Sequence, residues 1–375
     1  MTSSTSDFLI VGGGVVGLSI AYELAHHDVS VRVIDRQEIG REASWAGAGI
    51  LPPANRATAT HPYDHLCGFA TELHAPWAAA LAEETGIDTG YRKCGGIYLA
   101  RSPGESAALV GQVAEWREQG ITVKRLTPDE LAALEPGLAT VETNGRRYSA
   151  YLVPEESQLR NPLHLKALQS ACRQRHVDLI PHADAAQCVV SQGRLQTVVT
   201  SRGEFSAGKI CLASGAWSRL LLEKLNIATG ILPIRGQMVL LRCSQPPFRH
   251  ILNQGPRYLV PREDGLVLIG STEEEVGFDK HTTDEAIAEL RGFAADLVPS
   301  LATAQVEQSW AGLRPGSFDG FPYLGKIPGL ENAYVAAGHF RSGLFLSPAT
   351  AVVMSELMRG TPPSIDLDAF RVGRG

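Results

Sequence analysis

Three glycines and one acid near the start of the chain have the types and spacing to hold a dinucleotide. Gly12, Gly14 and Gly17 form the pattern G-x-G-x-x-G, and Asp35 lies 18 residues beyond the last of them. One glycine makes a tight turn, one lets backbone approach a pyrophosphate, and one lets a helix pack closely on a strand. A helix opening at this point offers phosphates its free N–H groups and the positive end of its dipole. An acid at that distance suits a hydrogen bond to an adenosine ribose. Near the other end, Arg314 and Arg341 stand among glycines. A guanidinium grips a carboxylate through two parallel bonds and keeps its charge when desolvated. Each arginine therefore suits either a carboxylate substrate or a structural ion pair. Tyr258 offers a phenol to the same carboxylate, or simply packs in a strand.

The elements around these residues support the dinucleotide reading. Residues 7–11 are a short apolar run rich in branched side chains, which predicts a buried parallel strand. A helix follows from Val15 and Val16, and residues 29–34 form a second strand ending at Asp35 and Arg36. Strand, glycines, helix, strand and acid together are far more specific than the glycines alone. Small residues dominate 43–49 (Ala43, Ser44, Ala48 and Gly49, then Ile50), so backbone there can lie flat against a ligand or against a neighbouring helix. After a dinucleotide fold, cofactor contact is the preferred reading.

At 375 residues, two domains are expected. With 44% hydrophobic and 20% charged residues the composition is that of an ordinary globular protein. A net charge of −6 with scattered basic residues argues against nucleic acid or an anionic membrane as partner. No run approaches a membrane span and no signal core precedes the first strand, so a cytoplasmic protein is expected. The six cysteines show no C-x-x-C pair, which argues against zinc and disulfides.

Further along, helices are predicted at 65–86, 106–119 and from Thr127-Pro128, and strands at 93–100, 123–126 and 149–153. A helix from Asn161, a strand at 177–180 and a hairpin about Gln192-Gly193 follow, with Ala186 in its first arm. Lys209-Ile-Cys-Leu-Ala then Ser214-Gly-Ala-Trp-Ser repeats the strand, small-residue turn and helix. Residues 231–310 read instead as an antiparallel sheet crossed by one helix at 283–297. A buried strand at 332–337 leads into Gly338-His339-Phe340-Arg341-Ser342-Gly343 and a last helix. The fold class is therefore α/β: a doubly wound, discontinuous Rossmann-type domain (1–88, 146–225 and 325–375) and an α+β domain with a mainly antiparallel sheet (89–145 and 226–324). The positive end of the last helix would stabilise negative charge on a cofactor at that turn. His339, within the turn, reads as a histidine bonded to backbone rather than a proton carrier.

These motifs, with Arg257-Tyr-Leu-Val-Pro-Arg, Trp310-Ala-Gly-Leu-Arg-Pro-Gly-Ser-Phe-Asp-Gly-Phe-Pro-Tyr-Leu-Gly and the run from Ala336 to Thr350, resemble the FAD-dependent D-amino-acid oxidase superfamily over nearly the whole length. Within it the chain is most similar to the glycine oxidases of thiamine biosynthesis. The resemblance implies non-covalent FAD held by Gly12, Gly14, Val15, Val16, Gly17, Asp35, Arg36, Ala43, Ser44, Ala48, Gly49, Ile50 and, on a looser alignment, Ala186. It implies that His339, Phe340, Arg341, Ser342, Gly343, Leu344 and Phe345 line the isoalloxazine. It places Arg314 on a substrate carboxylate, Tyr258 beside it and the Arg341 carbonyl near the amine. The implied reaction is hydride transfer from a small amine or D-amino acid to flavin N5, with oxygen reoxidising the flavin. A dehydrogenase of the same fold, passing electrons elsewhere, is the alternative. Sarcosine oxidases, which are similar, hold flavin through a C-terminal cysteine, and none follows Cys243 here. Tetramers occur among such oxidases, so a homo-oligomer is a further expectation. The acidic run at Glu273 would affect substrate choice if it faced the pocket.

Overall fold

The computed structural model describes residues 5–139 and 149–374, so the expected boundary at 145/146 lies outside the described residues. Two large sheets organise the chain. The first has six strands, ordered Tyr323–Lys326, Ala333–Ala337, Ala207–Leu212, Ser6–Val11, Val31–Ile34 and Asp178–Ile180. All neighbours run parallel except Tyr323–Lys326, which is antiparallel to Ala333–Ala337. Alternation along Ser6–Val11 gives this sheet its two cores. Phe8 and Ile10 face the helices Val15–Leu24, Asn161–Gln174 and Gly343–Arg359, while Leu9 and Val11 face the helix Ser218–Glu223 and a small sheet that includes Ala185–Ser191 and Arg194–Thr200. The hairpin joining those two strands turns through Gln192 (φ 50°) and Gly193 (φ 70°), a left-handed pair suited to a two-residue turn.

The second sheet has eight strands: Gln305–Gly316, Leu232–Arg242, Leu266–Gly270, Arg257–Pro261, Ile251–Gln254, Gly96–Ala100, Ser149–Val153 and Lys124–Leu126. Only Ile251–Gln254 and Gly96–Ala100 run parallel; the other pairs are antiparallel. Ser149–Val153, grouped with the first domain from sequence, pairs in this second sheet. The helix Asp284–Leu297, capped by Thr283, buries Leu290, Phe293 and Leu297 on one face of the sheet. The opposite face, with Met238, Tyr258 and Trp310, packs toward Ala48 and Ile50 of the first part.

Several elements differ from expectation for local reasons. The strand expected at 93–100 is split into Arg92–Lys93 and Gly96–Ala100, because Gly95 adopts φ 74°. The helix expected from 106 begins at Pro103, where Ser102 and Glu105 form a reciprocal cap. The glycine-rich stretch around Arg314 is a strand, Gln305–Gly316, paired along its length with Leu232–Arg242.

Candidate active site

A cavity of about 900 Å³ runs between the two sheets. At its first end, Gly12 has φ 118°, and a Cβ there would stand 2.4 Å from the Ala213 carbonyl oxygen. A Cβ on Gly17 would stand 1.9 Å from the Gly12 carbonyl oxygen, so this glycine lets the helix sit against the turn. Gly14 precedes the helix Val15–Leu24 without a capping side chain of its own, and the Ser44 hydroxyl accepts from the Val15 N–H at 2.9 Å. The Asp35 carboxylate accepts from Gly13 N at 2.7 Å and Gln37 N at 2.9 Å, tying the glycine turn to the end of the second strand. Burial raises its pKa, against which these two N–H groups act. The Arg36 guanidinium stacks 4.1 Å above the Trp217 ring, and both line the cavity.

The small residues after Asp35 are fastened from outside. Asn161 donates to the Ser44 carbonyl at 2.8 Å, Trp310 Nε1 to Ala46 at 3.1 Å, and Arg262 to Ala48 at 2.7 Å. A Cβ on Gly49 would come within 2.0 Å of the Leu159 carbonyl oxygen. Arg262 is almost fully buried, which lowers its pKa to about 10, the neighbouring Arg160 and Arg92 adding to the effect.

At the other end, sheet register rather than sequence proximity assembles the site. Tyr98, Asn253, Tyr258, Gly270, Met238 and Trp310 form one row across neighbouring strands. Two glycines make room for the larger groups. A Cβ on Gly236 would lie 2.2 Å from the Arg314 guanidinium, and one on Gly270 would lie 2.6 Å from the Tyr258 ring. Arg314 donates to the Thr272 carbonyl at 3.1 Å and to Ser271 Oγ at 2.6 Å. No acid among the described residues forms an ion pair with it. Burial lowers its pKa; Tyr258 acts the other way, and so does Glu273, while Arg341 adds to the lowering. A guanidinium still keeps its proton in such a site, so Arg314 is a largely buried cation facing a cavity with only neutral acceptors.

The segment carrying those acceptors is itself braced. Glu274 pairs with the buried Arg235, Thr272 donates to Glu274, and Gln237 Nε2 reaches Glu274 at 2.9 Å. Burial acts to raise the Glu274 pKa, but hydrogen bonds from Arg235, Thr272 and Gln237 outweigh it and leave it lowered.

The turn after Ala333–Ala337 closes the remaining side. The His339 ring is buried with Nε2 3.1 Å from Thr350 Oγ1, and burial lowers its pKa to about 3, so it stays neutral. Its partner is thus a hydroxyl rather than the expected backbone. The helix Gly343–Arg359 opens at the cavity. Pro348 within it has no N–H for the Leu344 carbonyl, and Ser347 Oγ donates there instead at 2.9 Å. The Arg341 side chain pairs with Glu273 at 3.2 Å and donates to the Pro256 carbonyl at 3.0 Å. Glu273 is not among the residues lining the cavity.

All the residues expected from sequence to hold cofactor or substrate line this one cavity except Gly17, which the close approach to Gly12 places beneath the turn. Tyr98, Asn253 and Met238 line it as well and were not singled out. Their signal is weak in sequence: Gly95-Gly96 before Tyr98, and Gly270 and Gly236 on strands beside Tyr258 and Arg314. None of the six cysteines lines the cavity, and no described cluster could hold a metal ion. No described helix is long and apolar enough to cross a membrane.

An open helix start beneath a glycine turn, followed by a long cleft reaching a second helix start, fits a dinucleotide cofactor. The residues that would hold it are Gly12 to Val16 at the pyrophosphate, Asp35 and Arg36 toward the ribose, and the turn 339–345 at the far end. This geometry fits the class of dinucleotide-binding proteins, with the second sheet forming the other wall of the cleft. Residues 7–357 match the model of the DAO family, described as FAD dependent oxidoreductase, and the chain belongs to that family. It is an FAD enzyme. The chain is 36% identical over 360 residues to the glycine oxidase of Pseudomonas aeruginosa, covering 96% of each. It is 32% identical to the bifunctional protein ThiO/ThiG of Synechocystis sp., covering 98% of this chain and 54% of that one. The crystal structure of glycine oxidase from Geobacillus kaustophilus superposes with a TM-score of 0.93 at 31% identity, covering 99% of both chains.

Proposed function

We propose that the protein oxidises glycine and comparably small amines or D-amino acids, giving the imine and then the 2-oxo acid and ammonia. The observation that carries this reading is Arg314: a largely buried guanidinium, without an acid partner among the described residues, facing the cavity beside Tyr258. A substrate carboxylate would complete its hydrogen bonds, and charge-assisted bonds of this kind contribute about 1.5–3 kcal/mol each. Bound FAD supplies the two-electron acceptor. Arg314 and Tyr258 would fix the carboxylate, and the Arg341 main-chain carbonyl would receive the amine. Catalysis by this chain is then chiefly positioning. His339 is neutral and engaged with Thr350, so it would not shuttle the proton. The N-terminus of Gly343–Arg359 would offer N–H groups to negative charge developing on the cofactor.

Oxygen as the final acceptor, and a place in forming the thiazole of thiamine, accord with the relatives named above. The six free thiols accord with a cytosolic setting. Anaerobic addition of glycine to the purified yellow protein should bleach the flavin, and air should restore it with release of peroxide. A flavin that stays oxidised with glycine, sarcosine and D-alanine alike would refute the reading. One that bleaches but recovers slowly in air would point to a dehydrogenase.

A further inference from the structure

Past the Arg314 end the cavity lining takes in Tyr98, Gln112, Trp116 and Asn253, a lobe beyond the length of a glycine held on Arg314. Asn253 lies beside both Tyr258 and Tyr98 in the sheet register. Neighbouring strands are about 4.8 Å apart, so Tyr98 stands roughly 10 Å from Tyr258 across the sheet. Gln112 and Trp116 of the helix Pro103–Glu118 line this end, with the Trp116 ring edge-on to Tyr98 at 4.7 Å.

Behind the lobe lies a carboxyl group with no exposure. Glu156 Oε2 accepts from the Tyr98 hydroxyl at 2.5 Å, and Oε1 accepts from the Asn253 amide at 3.1 Å. Gly96 makes the space, since a Cβ there would stand 2.5 Å from the carboxyl. The Tyr98 hydroxyl and one of the two Asn253 N–H groups are therefore used on Glu156, and the phenol and amide oxygens keep lone pairs for the cavity. Two acceptor oxygens, those of Tyr98 and Asn253, thus belong to the lobe's lining, with a buried acid behind them. Burial raises the Glu156 pKa to about 7, against the hydrogen bonds from Tyr98 and Asn253. A cation in the lobe would draw it toward its ionised form. Two titratable groups beside it, the Tyr98 phenol and the Cys94 thiol, both have pKa values raised by burial.

We propose that Tyr98 and Asn253, oriented by Glu156, form a subsite for a cationic, hydrogen-bond-donating end of a longer substrate whose carboxylate Arg314 holds. The ligand class is an amino acid carrying an ammonium or amine several bonds from its carboxylate. The inference rests on the Arg314 reading for the position of that carboxylate.

The test uses the FAD-loaded enzyme and two ligands with no amine beside the carboxylate, 6-aminohexanoate and hexanoate, each titrated against the flavin absorption spectrum. The amine-tipped ligand should bind at least tenfold more tightly. Tyr98→Phe and Glu156→Gln should each bring that ratio toward one while retaining FAD; two variants guard against one failing to fold. Equal binding by the wild type, or variants that weaken both ligands alike, would overturn the proposal. Acetate, which reaches only Arg314, separates the two readings. Acetate binding with no preference for the amine tip strikes the lobe alone. An amine preference that depends on Tyr98, with no acetate binding, supports the lobe and strikes the Arg314 reading.

Discussion

The two sheets build their halves of the cavity by different means. The parallel sheet works through backbone: a glycine turn, an open helix start and an acid held by two N–H groups, all within residues 12–37. The eight-stranded sheet works through side chains that register brings together, with Arg314 and Tyr258 separated by two intervening strands and 56 positions of chain. Glycines serve both halves in opposite senses. Gly12 and Gly17 let backbone meet backbone, whereas Gly236 and Gly270 clear space for a guanidinium and a phenol. A site for a large constant cofactor can be written in one local motif, and a site for a small substrate is spread across a sheet.

This difference is open to direct attack. Gly17→Ala forces a Cβ to within 1.9 Å of a main-chain oxygen, which must move. Overpacking of this kind costs about 1–3 kcal/mol or more, and the purified variant should have lost most of its FAD, read from the ratio of flavin to protein absorbance. Gly236→Ala meets first the movable tip of Arg314, at 2.2 Å. It should keep its FAD and lose glycine affinity by about tenfold, the effect of one weakened charge-assisted bond, seen in KM. FAD loss in this second variant would erase the distinction between the halves.

Smaller effects come from the braces. Glu274 has a lowered pKa, so its contribution to stability is present above its unfolded value of about 4.5 and fades as pH falls through the folded value. The melting-temperature gap between wild type and Glu274→Gln should therefore be steady at neutral pH and shrink in acid; a gap that widens in acid would contradict the bracing role. Glu273→Gln should matter least, because its pair with Arg341 is partly exposed. Exposed pairs contribute about 0–1 kcal/mol, and the change in glycine KM should vanish at high salt.

The sequence carried the first sheet almost completely. The apolar run at 8–11, the glycine spacing and Asp35 are near neighbours whose joint meaning survives without tertiary contacts. The second sheet was legible as strands, but not as a row. Arg314 read as an arginine in a glycine-rich stretch, because nothing local reveals that Gly236 lies opposite Gly312 and beneath the guanidinium. Its role came from resemblance to a family. Tyr98, Asn253 and Glu156 were invisible for the same reason: two strands and a loop from separate stretches of chain must pair before their hydrogen bonds exist.

The central claim is that Arg314 waits for a carboxylate, and anaerobic reduction of the flavin across a range of glycine concentrations tests it most directly. In Arg314→Ala the half-saturating concentration should rise by roughly 10- to 150-fold, matching the loss of a charge-assisted bond, while the limiting rate falls much less. A half-saturating concentration unchanged from wild type would contradict the account.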